Sequence, residues 1–502
     1  MATEETLQAV FEASDGPALI TEAPSDPWGF GQLESRVDGL ARRLRTVGID
    51  RGDNIGIVLP AGPVFVQTLL AVTALGAAAA PLNPAYTTSE FRFYLDDLRP
   101  RLLLAPTGLL GAAREAAATL SLQVVEIGGA HHDGVRPVVD GHTIEAQSPF
   151  EGAAPDDVAL VLHTSGTTSG PKQVALLHRN VMASVRAIVR HYGLGPADVS
   201  FCAMPLFHVH GMIASVLAPL AGGGCVVLPS RLSGRTFWRG VADQRATWYS
   251  ASPTVHQKML DHESGTRHPA PDLRFVRSCS APLSSTLHQR LEARFGVPVV
   301  EAYGMTEASH QIASNPLDAP KAGSVGLPTG TRIKVIGSHG RPVMAGETGE
   351  VLVRGPGVTP GYVNNSEANR DAFVDGWFRT GDLGGIDDEG YLELRGRIKE
   401  LIIRGGENIS PHEIEEVLVS HDAVQDVVCF GVPDDKYGEV VEAAVVLIGS
   451  AAQPDLREFA RSRLAAFKVP TTIHVLDEIP RTATGKPQRQ RMPALLGRET
   501  NH

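Results

Sequence analysis

The sequence predicts an α/β protein with a large N-terminal region and a small C-terminal α+β domain. Apolar strand-like runs alternate with helical patterns along most of the chain, which is typical of largely parallel sheets. The pattern becomes β-rich over about residues 330–396, and a compact module of about a hundred residues follows Lys399. At 502 residues the chain is too long for one ordinary core, so we expect two or more domains.

The N-terminal region alternates short strands with amphipathic helices. The apolar stretch from Leu69 to Leu82 is interrupted by Thr73 and Gly76, so it predicts a buried helix that leads into a strand rather than a membrane span. Residues 128–155 are rich in Gly, His, Asp and Pro and predict a surface connection. The predicted strands are Asn54–Leu59, Arg101–Leu104, Val158–Leu162, Cys225–Leu228 and Leu273–Arg277, and the predicted helices are Gly31–Val47 and Ser284–Phe295.

The remaining elements divide at Gly396–Lys399. We expect an N-terminal domain over 1–396, a hinge over 397–400 and a C-terminal domain over 401–502. The β-rich part of the first domain has predicted strands at Arg332–Val335, Gly349–Arg354 and Tyr391–Arg395. In the C-terminal domain the predicted order is helix His412–Ser420, strand Val424–Val432, strand Val440–Ile448, helix Leu456–Arg463 and strand Thr472–Leu476.

Composition excludes several classes of protein. The net charge of −11, without a basic patch that contains aromatic residues, argues against general nucleic-acid binding. No basic region followed by an apolar core opens the chain, and the last residues are not a peroxisomal signal. The cysteines are too widely spaced for a zinc site and fit reduced thiols better than disulfides, so we expect a cytoplasmic protein. They are Cys202, Cys225, Cys279 and Cys429.

A loop that suits a polyphosphate runs from Thr164 to Gln173. Its ten residues include five hydroxyl side chains and one lysine, between apolar runs that predict strand, loop and strand, then a helix from about Asn180. Backbone N–H groups, hydroxyls and the lysine can bind phosphates, although a Ser/Thr-rich surface turn explains the loop equally well. No Ser or Thr follows the lysine, so this is not the Gly-x-x-x-x-Gly-Lys-Ser/Thr loop. The candidate ligands are Thr164, Ser165, Gly166, Thr167, Thr168, Lys172 and Gln173.

Five further motifs follow this loop: Tyr303–Glu307, Gly376–Asp382, Gly396–Glu400, Arg404–Pro411 and Pro480–Lys486. In order and spacing the six motifs resemble those of the adenylate-forming acyl- and aryl-CoA ligases, the luciferase-like superfamily. The resemblance covers nearly all of the chain and is closest to the oxalate–CoA ligases. It implies stacked α/β sheets in the large domain and a mobile C-terminal domain that rotates about Lys399.

The resemblance also implies the reaction. A carboxylate attacks the α-phosphate of ATP to give an acyl-adenylate and pyrophosphate, and the thiol of coenzyme A then displaces AMP. The first step brings two anions together, so cations and oriented donors must neutralise their charge. The implied partners are ATP, Mg²⁺, coenzyme A and a carboxylic acid, without a nucleic acid or a membrane span.

By the same resemblance, three residues serve adenylation. Lys486 lies on a Thr-Gly-Lys turn and would reach both the carboxylate and the α-phosphate, although an isolated lysine is usually just exposed. Thr306 would bond the AMP phosphate. Glu307 would hold Mg²⁺, a hard cation that suits carboxylate and phosphate oxygens. The structural alternative for Thr306 and Glu307 is a pair that caps a helix.

Other positions would bind the nucleotide and coenzyme A. Tyr303 would stack on adenine, or would be a core aromatic residue. Asp382 and Arg397 would contact the ribose hydroxyls, or would form a surface ion pair. Gly405 and Gly406 would let the pantetheine arm pass close to the backbone, or would form a plain turn.

Within the resemblance, His208, Ser280 and His310 border the acyl pocket. In the oxalate–CoA ligases the matching residues would bind the distal carboxylate, for which two imidazoles and a hydroxyl are suitable partners. The alternatives are that His208 is the gate residue common to the family and that His310 satisfies a backbone carbonyl. In that case the acid is a larger acyl, aryl or terpenoid acid.

One residue departs from the pattern of the family. Where these enzymes usually read Pro-Lys-Gly, this chain reads Pro171-Lys172-Gln173. If residue 173 needs a glycine conformation, the strain costs on the order of 1–3 kcal/mol and weakens ATP binding.

That departure leaves alternatives to an intact ligase. In the first alternative the chain forms the thioester only, from an acyl-adenylate supplied by a separate adenylating enzyme. In the second it is a non-catalytic nucleotide-binding protein, and in the third it transfers the acyl group to a carrier protein instead of coenzyme A.

Overall fold

The computed structural model describes residues 5–21, 27–108, 111–131, 134–164, 171–229, 231–262, 270, 272–448, 455–482 and 485–498. Within these residues, 27 strands and 13 α-helices form four sheets and their surrounding helices. Strands and helices alternate as predicted, in a large N-terminal domain and a smaller C-terminal domain. The predicted α/β class is therefore confirmed. Strands and helices are numbered in chain order.

The first sheet has nine strands, of which the central six run parallel. The carboxyl ends of parallel strands lie at one edge, where the loops that follow them build ligand sites. In spatial order the strands are β17 (Leu327–Pro328), β16 (His310–Ser314), β15 (Val299–Met305), β14 (Phe275–Ser278), β13 (Trp248–Ala251), β11 (Val199–Cys202), β12 (Cys225–Leu228), β1 (Pro17–Thr21) and β2 (Trp28–Gly29).

The second sheet has eight strands and ends in the hairpin that carries the predicted phosphate loop. It also corrects the prediction for residues 128–155, because strands occupy much of that segment. Pro137 lies in the strand next to the edge, where it pairs with Ile127 and its carbonyl oxygen accepts a hydrogen bond from the backbone N–H of Ile144. In spatial order the strands are β10 (Lys172–Leu177), β9 (Val158–Thr164), β4 (Ala78–Pro81), β3 (Asn54–Ile57), β5 (Leu102–Pro106), β6 (Val124–His131), β7 (Gly134–Val139) and β8 (His142–Thr143).

The third and fourth sheets have five strands each. A short 3₁₀ turn, Ile398–Glu400, joins them at the predicted hinge. The third sheet contains β18 (Arg332–Ile336), β19 (Gly349–Arg354), β20 (Phe373–Val374), β21 (Trp377–Ile386) and β22 (Leu392–Arg397). The fourth contains β23 (Ile402–Arg404), β24 (Glu407–Ile409), β25 (Val424–Asp434), β26 (Gly438–Leu447) and β27 (Thr472–Val475).

The helices cover the sheets with apolar faces. In the first of them Leu33, Val37, Leu40 and Leu44 recur at helical spacing and are all buried. The helices are α1 (Phe30–Thr46), α2 (Pro63–Ala74), α3 (Thr88–Leu98), α4 (Gly111–Thr119), α5 (His178–Tyr192), α6 (Ala218–Ala221), α7 (Gly234–Asp243), α8 (Pro253–Asp261), α9 (Ser285–Phe295), α10 (Ser366–Ala372), α11 (Pro411–Val419), α12 (Leu456–Arg461) and α13 (Met492–Leu495).

The first two sheets share one hydrophobic core. Trp248 and Phe275 of the first sheet belong to the same buried cluster as Ile55 and Leu160 of the second. The four cysteines are free and buried. No helix in the described part of the chain has the length and the apolar run that a membrane span requires.

The N-terminus of α5 carries a buried histidine. The side chain of His178 is completely buried, and its Nδ1 accepts a hydrogen bond of 3.1 Å from the backbone N–H of Leu7. Burial lowers the pKa of His178 to about 4. The folded protein therefore holds this imidazole neutral at pH values where the unfolded chain protonates it.

We expect His178 to make the protein less stable in mild acid. Its folded pKa lies below the unfolded value, so its contribution to stability is complete above about pH 6.5 and falls by about 1.4 kcal/mol per pH unit below it. The control is His178→Asn, which keeps an acceptor for Leu7 but does not titrate. The difference in unfolding free energy between the wild type and this variant, measured by urea denaturation, should shrink as the pH falls. Parallel pH profiles would contradict the assignment.

Candidate active site

One cleft between the two domains collects most of the predicted site residues. Its volume is about 1070 Å³, and its walls come from the first three sheets and from the C-terminal domain. The predicted residues that line it are Thr164, Lys172, His208, Ser280, Thr306, Glu307, His310, Arg397, Lys399 and Lys486. Residues separated by more than 300 positions in sequence thus face one space.

Other predicted residues lie elsewhere. Tyr303 and Asp382 are buried behind the wall of the cleft, and Gln173, Gly405 and Gly406 are not among the residues that line it. The predicted phosphate ligands Ser165, Gly166, Thr167 and Thr168 lie outside the described residues.

The turn that carries Lys486 is docked against the large domain. The Thr254 hydroxyl donates a hydrogen bond of 3.0 Å to the carbonyl oxygen of Gly485, and Arg481 donates one of 2.7 Å to the same oxygen. A Cβ on Gly485 would lie 3.0 Å from Ser252 Oγ, and its φ of 86° also favours glycine. This contact brings the C-terminal domain's lysine into the cleft.

The surroundings of Lys486 lower the pKa of its ammonium group below the ordinary value. The larger cause is burial, and the second cause is repulsion from Arg397. The residue remains open to the water of the cleft, which weakens that effect, so we expect the ammonium to stay charged at neutral pH.

Glu307 is a buried carboxylate on the cleft wall. The Tyr362 hydroxyl donates a hydrogen bond of 3.0 Å to Glu307 Oε1, and burial raises the pKa of Glu307. Lys172 Nζ lies 4.7 Å from the centre of the Tyr362 ring. No group of three or more His, Cys, Asp and Glu side chains among the described residues could hold a metal by itself. Glu307 therefore fits a cation that takes its other ligands from phosphate and water.

Asp382 connects the predicted adenine and ribose residues. Its carboxylate accepts a hydrogen bond of 2.5 Å from the Tyr303 hydroxyl and forms an ion pair of 2.8 Å with Arg397 Nε. Tyr303 packs in the buried cluster of the third sheet, as the core-aromatic alternative predicts. The three side chains form one unit that fixes Arg397 at the cleft.

His208, Ser280 and His310 all line the cleft, and His208 is close enough to His310 to repel its charged form. We call the part of the cleft that these three residues line its polar end. His208 Nδ1 accepts a hydrogen bond of 3.2 Å from the backbone N–H of His210. Burial, aided by repulsion from Lys486, lowers the pKa of His208 to about 3. Burial also holds the pKa of His310 well below its ordinary range. This end of the cleft is therefore polar and lined by neutral imidazoles.

The sequence analysis assigned no role to three residues that support these groups. Tyr362 binds Glu307, and Arg277 and His210 lie directly behind the polar end of the cleft. For Arg277 a signal was available, because a charged side chain follows directly on two apolar residues of a predicted strand, and the strand Phe275–Ser278 is buried throughout. For His210 no comparable signal was available. The structure places it in a π-helical segment, His210–Leu217, a rare conformation that often marks functional sites.

The expectation of strain at Gln173 was wrong. The residue lies in β10 in regular antiparallel pairing with His163 and does not have a positive φ. Its side-chain amide donates hydrogen bonds of 2.8 Å to the backbone oxygen and to Oδ2 of Asp97. The amide is thus bonded to the end of α3, and residue 173 does not need a glycine conformation.

Gly405 and Gly406 form the tight turn between β23 and β24. Their φ angles are 60° and 88°, values that L-residues rarely adopt, so the turn itself requires glycine. Their predicted role toward pantetheine stays a prediction.

The chain matches two family models, which are described as AMP-binding enzyme (residues 8–363) and AMP-binding enzyme C-terminal domain (residues 413–486). It is 46% identical to a probable CoA ligase, CCL9, of Humulus lupulus, over 96% of this chain and 94% of that one. It is 45% identical to an oxalate–CoA ligase of Arabidopsis thaliana, over 91% of each chain. ATP-bound MatB from Rhodopseudomonas palustris has a similar structure, with a TM-score of 0.89 at 28% identity over 99% of both chains.

We expect Gln173→Gly to destabilise the protein by about 1 kcal/mol, because glycine weakens a strand and the bonds to Asp97 are lost. Urea denaturation measures this change. Gln173→Ala is the matched control, since it keeps the Cβ and removes only the amide. If the glutamine were held under strain, glycine would stabilise the protein instead.

Proposed function

Since the chain belongs to the family of AMP-binding enzymes, we propose that its substrate is a short dicarboxylate and that oxalate is the first acid to test. The chain is an acid–thiol ligase that forms AMP. It joins a carboxylic acid to coenzyme A through an acyl-adenylate, at the expense of ATP.

One observation carries the choice of acid. The end of the cleft that His208, Ser280 and His310 form is polar, whereas a long acyl or aryl chain requires a mostly apolar pocket. A second carboxylate would find a hydroxyl and imidazole N–H groups there. The similarity to the oxalate–CoA ligase of Arabidopsis thaliana supports the same choice.

For the adenylation step we propose that the ammonium group of Lys486 offsets the negative charges of the substrate carboxylate and of the α-phosphate. The lysine reaches the cleft from the C-terminal domain, and the Thr306 hydroxyl faces the same space. Thr164 and Lys172 lie where the phosphate loop leaves β9 and enters β10, and would bind the outer phosphates. Arg397, fixed by Asp382, would bind the ribose.

Glu307 would hold Mg²⁺. Its pKa is raised because the cost of burying the carboxylate exceeds the stabilisation by the Tyr362 hydroxyl, Arg397 and Lys486, and such a group favours a bound cation. When bound, the ion would neutralise charge on the phosphates. The residues Glu307 and Tyr362 supply the carboxylate and keep it oriented.

For thioester formation we propose that the C-terminal domain rotates about Lys399. The residue lies in the short turn between the third and fourth sheets, where few dihedral angles need to change. Rotation would remove Lys486 and bring Gly405 and Gly406 toward the pantetheine arm.

The four free cysteines support a cytoplasmic location.

An enzyme impaired in adenylation is not the better explanation. That alternative required strain at Gln173, and the residue has ordinary strand geometry. A carrier-protein acceptor and a non-catalytic role have no observation in their favour.

The acid is identified by the rate of acyl-CoA formation over a panel of acids. We expect oxalate to have the highest kcat/KM, by about 10-fold or more over acetate and benzoate, because each charge-assisted hydrogen bond contributes about 1.5–3 kcal/mol. A panel in which benzoate or a long-chain acid leads would overturn the choice of a dicarboxylate and leave the ligase activity intact.

The role of Lys486 is tested on the two half-reactions separately. We expect Lys486→Ala to lower the rate of pyrophosphate release on the order of 10²–10³-fold, the usual loss when a charge-stabilising group is removed. Thioester formation from supplied acyl-adenylate should stay within a few-fold. Lys468→Ala is the matched control, since Lys468 pairs with Glu413 outside the cleft. Equal loss in both half-reactions would contradict the role.

A further inference from the structure

Arg277 is a charged residue inside the core of the large domain. It lies on β14, in the centre of the first sheet, and none of its surface is exposed. Burying a guanidinium is costly unless it is paired and hydrogen-bonded. Its guanidinium contacts the Tyr192 hydroxyl (2.9 Å), the Ser250 hydroxyl (2.8 Å), His210 Nε2 (3.2 Å), His310 Nε2 (3.0 Å), Gln311 Oε1 (2.9 Å) and the side chain of Cys279. No carboxylate is among them.

These contacts determine where two histidines carry their hydrogen. Guanidinium nitrogens only donate, so we assign His210 Nε2 and His310 Nε2 as acceptors. The Ser250 hydroxyl agrees with this assignment, because it accepts from Arg277 and lies 2.6 Å from His210 Nε2, to which it can give its own hydrogen. Each neutral imidazole then carries its hydrogen on Nδ1. His210 Nδ1 lies 2.9 Å from Ser280 Oγ and donates to it, which leaves the serine's own hydrogen for another acceptor. His310, on the wall of the cleft, likewise keeps a donor on Nδ1.

The backbone at this end of the cleft is strained. Ser280 has a φ of 77° and His310 has a φ of 85°, although neither residue is glycine. Such conformations persist only where the surroundings enforce them, and they concentrate at functional sites. The rings of His210 and His310 stack with a centroid distance of 5.1 Å, and Arg277 contacts both edges. The arginine therefore fixes the two groups that reach the cleft, His310 directly and Ser280 through His210.

We propose that Arg277 is a positioning residue that makes the acid pocket selective for a second anionic group. It orients Ser280 and His310 so that both present hydrogen-bond donors to the acid. The negative charge of the second carboxylate then stabilises the buried positive charge of Arg277. This inference rests on the proposed function, since it explains how that site distinguishes a dianion from a monoanion of the same shape.

The alternative is that Arg277 only ties the strands together. Oxalate and oxamate separate the two possibilities, because they have nearly the same shape but oxamate carries one negative charge. The variants are Arg277→Met, which removes the charge, and Arg277→Lys, which keeps the charge but cannot contact both histidines. The matched control is Tyr192→Phe, which removes one partner of Arg277 and leaves its charge and both histidine contacts.

The measurement is kcat and KM for each acid and for ATP. In the wild type we expect kcat/KM for oxalate to exceed that for oxamate on the order of 10- to 100-fold. In Arg277→Met this ratio should fall to within a few-fold of one, through a higher KM for oxalate and with the KM for ATP little changed. Arg277→Lys should lose part of the ratio, and Tyr192→Phe should keep it.

Each other outcome overturns the proposal. If Arg277→Met keeps the ratio, or if both acids and ATP lose equally, the arginine is structural while the proposed function stands. If the wild type itself does not prefer oxalate to oxamate, the proposed substrate class falls and this inference falls with it. If Arg277→Met does not fold, Arg277→Lys serves as the test variant. A ratio of kcat/KM for oxalate to that for oxamate that is the same in Arg277→Lys as in Tyr192→Phe would then contradict the proposal.

Discussion

Two anions must meet in the cleft, and the placement of positive charge around it explains most of the structure. Lys486 approaches from the C-terminal domain, Lys172 from the hairpin of the second sheet and Arg397 from the end of the third. Glu307 is a buried carboxylate on the wall of the same cleft. Tyr362 contacts both Lys172 and Glu307, and Asp382 pairs with Arg397, so these groups are held in place on the protein side of the cleft.

Two features of the fold bring these residues to the cleft: the carboxyl ends of parallel strands and the short connection between the third and fourth sheets. Ser280 and Thr306 follow directly after the parallel strands β14 and β15, whose carboxyl ends meet at one edge of the first sheet. The 3₁₀ turn Ile398–Glu400 and Leu401 connect the last strand of the third sheet to the first strand of the fourth. The small domain presents Lys486 through one glycine turn, docked by Thr254, and the proposed rotation about Lys399 would withdraw it.

Much of this was predictable because the motifs are local. The Thr-Gly-Lys turn and the strand–turn order around Thr306 are encoded by neighbouring residues, and β12 and β19 have the predicted bounds. Contacts between distant elements were not predictable. The amide of Gln173 meets Asp97, 76 residues away, and the two histidine contacts of Arg277 span 67 and 33 residues. The hairpin within 128–155 was missed because its strands contain Gly and Pro, residues that usually indicate turns and loops.

The most direct test of the account is the exchange of labelled pyrophosphate into ATP, measured without coenzyme A and with oxalate as the acid. Exchange requires the enzyme to form an acyl-adenylate and to reverse that step. The account predicts exchange that depends on oxalate and is absent without an acid. If no exchange occurs with oxalate while the enzyme forms a thioester from supplied oxalyl-adenylate, the chain does not activate its own acid and the account is wrong.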